Sequence, residues 1–133
     1  MRVIDDRGQA VVEFALVVPI LVSVAFAIVV VSDVAVARLA LLHATAEGAR
    51  AGALTNDDEV IRATIAATVA PLPRDRITTA IEPPETEPPR NADPRGSLLT
   101  VRASYDLQLP LAFVGLGQIT VNGTAARRIE WTP

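Results

Sequence analysis

Residues 14–32, FALVVPILVSVAFAIVVVS, run for 19 positions without a charge. As a helix rising about 1.5 Å per residue, the run is roughly 28 Å long, enough to cross the hydrocarbon core of a bilayer. This dictates most of what the chain can become, because a helix apolar on every side is stable only where all its faces are covered. Half of the 133 residues are hydrophobic but only 4% are aromatic, and much of the apolarity lies in the first 54 positions. About 80 residues remain to fold outside, near the lower limit for an independent core.

Pro19 lies inside the run, where a proline kinks a helix but is tolerated in membrane spans. Arg2 and Arg7 precede the run and an acidic, Pro-rich remainder follows, so the positive-inside rule places the N-terminus in the cytoplasm, although Arg38 and Arg50 weaken the asymmetry. A cleaved secretory signal is the rival reading, with Ala25-Phe26-Ala27 and Ala35-Val36-Ala37 as small-x-small sites. The first would leave Ile28-Val29-Val30-Val31 at a new N-terminus. The second would need an apolar region longer than the usual one.

Good helix formers continue from residue 33 to 54 with no Pro and no Gly before Gly48, which predicts one continuous helix from Ala10 to about Leu54. Along its second half Val34, Leu41, Ala44 and Gly48 share a side, an apolar stripe that needs a partner surface. Next, TNDDEVIRATIAATVAP predicts a second helix with Thr55 or Asn56 as N-cap, Ile61, Ile65 and Val69 on one face, and Pro71 as stop. Ile77, Thr79 and Ile81 alternate with polar or small neighbours as in a strand. Residues 82–96 hold five of the ten prolines and read as a solvated, semi-extended loop.

Leu99, Val101, Ala103, Tyr105 and Leu107 alternate strictly with Thr100, Arg102, Ser104, Asp106 and Gln108, the clearest strand pattern in the chain. Pro110 should end that strand, LAFVGLGQ should form an apolar loop, and Ile119, Val121, Gly123, Ala125, Arg127, Ile129 and Trp131 should line one side of a last strand. The fold class is therefore α+β: a long N-terminal helix, membrane-spanning in its first half and projecting in its second, packed on a small antiparallel sheet.

Few residues offer chemistry. A net charge of −3, a pI near 5.1 and scattered arginines give no basic stripe, which argues against nucleic acid. The absence of Cys excludes disulfides and thiol catalysis. His43 is the one histidine; with Asp33 ten positions away and Glu47 four, it does not make the three or four convergent ligands a metal needs, and no cofactor motif appears. No nucleophile elbow or phosphate loop is present, and Asn122-Gly123-Thr124 is a glycosylation triplet set inside an expected strand. These residues do not describe an enzyme.

Glu13 is the anomaly, since a carboxylate in mid-membrane costs about 2.5–3.5 kcal/mol on insertion scales. It either marks the cytoplasmic boundary, with Gly8 as a helix-entry residue, or it has a partner. Cleavage after Gly8 would supply one, because the free amine of Gln9 would stand one helical turn from Glu13 and could set the axial register of packed helices. Glu47 and Arg50, three apart, either form an intrahelical ion pair or contact another subunit.

RGQAVVEFALVVPIL resembles the start of a TadE-like protein, a pilin-like component of the tight-adherence, Flp-type pilus system. ATAEGARAGA, residues 44–53, is similar to that family's Ala-rich segment late in the long helix, and ITVNGTAARRIE resembles its C-terminal strand. The resemblance implies a leader over residues 1–8 removed by a prepilin peptidase, a transmembrane helix over 9–54 and an extracytoplasmic α+β head over 55–133. Gln9 would become the first mature residue and Glu13 the fifth. Implied partners are the membrane, that peptidase, other pilin-like subunits and the pilus assembly platform; the implied location is the cytoplasmic membrane, single-pass with the N-terminus inside. A bitopic anchor that presents its head to an extracytoplasmic partner, outside any filament, is the alternative.

Overall fold

The structure, a computed structural model, describes residues 6–111 and 115–132. Arg2 and most of the expected leader, and the middle of LAFVGLGQ, lie outside the described residues. In chain order the elements are α1 (Asp6–Thr55), α2 (Asp58–Thr68), a single 3-10 turn (Arg74–Arg76), β1 (Ile77–Glu82), β2 (Leu98–Leu111) and β3 (Leu116–Arg128). The chain divides into two compact units, Met1–Asp33 and Val34–Pro133. The fold is α+β, with the long N-terminal helix and the small antiparallel sheet that the sequence predicts.

In the second unit, the strands form one antiparallel sheet in the order β1-β2-β3. Alternation decides the faces: Ile81, Leu99, Val101, Ala103, Tyr105 and Val121 point into the core, while Arg102, Asp106 and Asn122 stay exposed. The expected helical stripe packs against this core. Leu41 and Ala44 are fully buried, Gly48 is buried and Val34 is partly so, joined by Ala37, Ala49 and Ala53. Small residues on this face let the backbones approach. A Cβ on Gly123 of β3 would fall 2.6 Å from the carbonyl carbon of Leu41, so glycine is what permits helix and sheet to touch here.

Ile61, Ile65 and Val69 of α2 are buried as their spacing predicts, but the cap is one residue later than expected. Helix α1 itself extends to Thr55, and Asn56 closes it with φ at 53° and its N–H donating to Gly52 O at 2.8 Å. Asn56 is thus committed to ending one helix, and Asp57 starts the next, its carboxylate accepting from the N–H groups of Glu59 and Val60 at 2.7 and 3.2 Å.

Two strand boundaries also differ. Pro110 lies within β2 instead of ending it, at the register irregularity between Gln108 and Leu111 and beyond the last β1 pair, Ile77 with Tyr105. A residue without an N–H is tolerated where the ladder is already broken and one neighbour is missing. β3 ends at Arg128, short of the expected Ile129 and Trp131; on it Val121 and Gly123 are buried and Ala125 half-buried, and Ile129 just beyond is buried, but Ile119 and Arg127 are exposed although they share the inward pattern. Ile119 lies past the end of the core, and the long Arg127 side chain reaches solvent from an edge strand.

The Pro-rich segment departs furthest from expectation. Residues 82–96 are largely exposed but not semi-extended: they fold through successive turns, with Asn91 N–H donating to Glu87 O and Asp93 N–H to Pro89 O, around an Arg90 that is 1% exposed.

Candidate functional site

Within the first unit, the large apolar side chains from Val11 to Val31 are almost all exposed, Phe14 to 70%. The helix is long and apolar enough to cross a membrane, and none of its most apolar window is buried by the rest of the chain. Its polar groups are satisfied locally: Ser23 Oγ donates to Pro19 O and Ser32 Oγ to Ile28 O, both at 2.8 Å. Pro19 is accommodated inside the continuous helix. A helix with an apolar surface and internally bonded hydroxyls fits membrane anchoring.

Gly8, Gln9 and Glu13 all lie on α1, whose first turn begins at Asp6. Gly8 lies in the first described turn of the helix. A Cβ added there would meet nothing within 4 Å, so no packing among the described residues calls for glycine at this position. Glu13, the one charged residue from Gly8 to Ser32, is exposed and accepts a hydrogen bond from Gln9 Nε2 at 3.2 Å. The helical spacing of four thus brings the two side chains together.

Glu47 is half-buried and Arg50 exposed, both on the last turns of α1. Among the described residues the ion pairs are Arg90 with Asp58 and Arg102 with Glu82, so Glu47 and Arg50 do not close the intrahelical pair their spacing allows. His43 is exposed, and no group of three His, Asp or Glu side chains converges among the described residues. Asn122 is exposed on β3.

Sequence reasoning missed the polar centre of the second unit. Arg90 donates from Nη1 to Asp58 Oδ1 and, at 2.8 Å, to Pro83 O; its Nε donates to Asn56 Oδ1 at 2.9 Å. Asn56 Nδ2 returns a bond to Arg90 O at 3.1 Å, and Glu85 Oε2 accepts from Asp58 N–H at 2.8 Å. Both side chains of the ion pair are buried, and Arg90 Nη2 has no partner among the described residues. The clasp ties the Pro-rich segment to the junction of α1 and α2. Partners 32 residues apart leave no periodic signature; the only hint is an arginine set among acids and prolines.

No curated protein and no solved structure matches the chain. The family model described as TadE-like protein matches residues 8–50, from the glycine that precedes Gln9 to the arginine that follows Glu47 by three. This agrees with the first two motifs read in the sequence and covers every candidate residue on α1. Over residues 8–50, therefore, the chain carries the pattern of the TadE-like family.

Proposed function

We propose that the chain is a non-enzymatic, pilin-like subunit for assembly of a tight-adherence, type IV-like pilus. It is held in the cytoplasmic membrane by the first part of α1, with the N-terminus in the cytoplasm and the Val34–Pro133 unit exported. A prepilin peptidase cuts between Gly8 and Gln9. The observation that carries this reading is the TadE-like match beginning at Gly8, on a helix whose apolar side chains find no cover within the chain. Two details support it. Gly8 has no packing role among the described residues, which suits a demand for glycine from outside, as a peptidase subsite would impose. Glu13 already holds the Gln9 side chain, and cleavage would add a charged donor, the Gln9 α-ammonium, to the neutral one; charge-assisted bonds are roughly twice as strong as neutral ones.

In this reading Glu13 and the new amine neutralise each other within one chain or between neighbouring subunits, which fixes the axial register of packed helices. Glu47 and Arg50, left unpaired with one another, are available for subunit contacts. Glu13→Ala tests the arrangement: cleavage should proceed while co-purification with the other pilin-like subunits and surface pili fall sharply. Wild-type assembly by the Glu13→Ala chain would remove the carboxylate from the mechanism.

A further inference from the structure

Tyr105 and Val121 are the last buried pair of the β2–β3 ladder toward its turn, and β1 stops pairing at Tyr105. From Asp106 onward the hairpin continues as two strands. Its sequence changes character here: Leu107 to Ala126 is a run of 20 residues without a charge, in a chain that is 20% charged. Leu109 is half-buried, Pro110 exposed and Ile119 42% exposed, and Leu111 pairs with Leu116 at the end of the ladder. Hairpin ends facing water are ordinarily built from polar turn formers, and an apolar, uncharged one invites association.

The direction of the hairpin says with what. Gly123 lies against the backbone of Leu41, while the N–H groups of Glu130 and Trp131 donate to Ala53 O at 2.8 and 3.1 Å. β3 therefore runs in the same sense as this part of α1, and the Leu116 end of the ladder lies toward the Val34 end of the helix in this unit. Seven strand residues from Gly123 to Leu116 cover about 23 Å. Seven helical residues from Leu41 to Val34 cover only about 10 Å, so within this unit the ladder extends further from the Gly123–Leu41 contact than the helix does.

We propose that the end of the β2–β3 hairpin, around Leu109 and Ile119, seats in the lipid interface of the membrane that anchors the chain; this rests on the membrane-anchored reading above. The insertion is shallow. A two-stranded ribbon has unpaired backbone edges that hydrocarbon cannot satisfy, whereas the interface offers headgroups and water to those edges and lipid to the leucine and isoleucine side chains.

Because the chain lacks Cys, single substitutions give unique labelling sites. Full-length Leu109→Cys and Ile119→Cys, carrying an environment-sensitive fluorophore, would be reconstituted in phosphatidylethanolamine–phosphatidylglycerol vesicles with nitroxides on the acyl chains. Val22→Cys serves as the anchor control and Arg102→Cys, on the exposed sheet face, as the aqueous control. The expected result is blue-shifted emission at 109 and 119, with lipid quenching several-fold above that at 102 and iodide quenching several-fold below it. Quenching at Val22 but not at 109 and 119 overturns the hairpin proposal alone; absence of quenching at Val22 overturns the anchoring as well. Shielding from iodide at 119 without lipid quenching also overturns it, and means that a second copy or another protein covers the hairpin.

Discussion

Replacing Arg90 by methionine should destabilise the Val34–Pro133 unit severely. The substitution keeps most of the buried stem but removes the guanidinium from Asp58, Asn56 Oδ1 and Pro83 O at once. Breaking a buried pair from one side costs about 3–5 kcal/mol, because the surviving charge stays buried without compensation. The Asp58 side chain keeps 7% of its surface and a bond from Glu85 N–H, which favours the lower end, about 3 kcal/mol. At about 4–8 °C per kcal/mol for a domain near 100 residues, the melting temperature should drop by on the order of 12–24 °C. Trp131, the only tryptophan, lines the same surface pocket as Arg90 and Asn56. Its fluorescence in detergent micelles therefore reports the transition, in heat or in urea. Arg90→Met combined with Asp58→Leu should recover most of the loss, since removing both charges leaves none stranded, short of about 0.3–1 kcal/mol for the acid lost from the first turn of α2. A loss below about 1 kcal/mol in the single variant, the range of an exposed pair, would refute the claim that the clasp is a desolvated unit.

Gly123→Ala should cost about 1–3 kcal/mol by urea denaturation, because the new methyl meets the Leu41 backbone, which cannot move without shifting the helix from the sheet. Gly52→Ala places its methyl as close to Ile61 Cδ1 and Leu99 Cδ2, which are side-chain ends, so its loss should be smaller; the reverse order would contradict the distinction. Asp57→Ala should cost about 1 kcal/mol through the lost cap on α2, while Thr55→Ala should be nearly neutral by the same measurement.

How much of this was legible in the sequence follows the range of the interactions. The apolar run, the helical stripe through Leu41, Ala44 and Gly48, and the alternation of Leu99 through Leu107 are periodic signals made by residues close in sequence, and each appears where it was expected. The cap moved from Asn56 to Asp57 because two helices compete for one linker, and a composition of good cap residues does not say which helix wins. Pro110 misled because its tolerance depends on the absence of a β1 neighbour. The loop at 82–96 misled most: prolines and acids are as compatible with a solvated arm as with turns folded about a buried arginine, and only the distant Asp58 decides between them. On α1 the placing of Gly8, Gln9 and Glu13 along one helix was legible because it follows from local helix propensity, and the TadE-like match spans them.

The central claim is that Gln9 becomes the first residue of a membrane-anchored pilin-like subunit, and the mass of the protein extracted from its own membranes tests it most directly. Intact-mass measurement with N-terminal sequencing should find a chain that begins at Gln9, with residues 1–8 gone. Gly8→Val should leave the full-length mass, since a β-branched side chain crowds the scissile position. An unprocessed wild-type chain in a host that possesses the peptidase, or a mature-sized product from the Gly8→Val variant, would contradict the account.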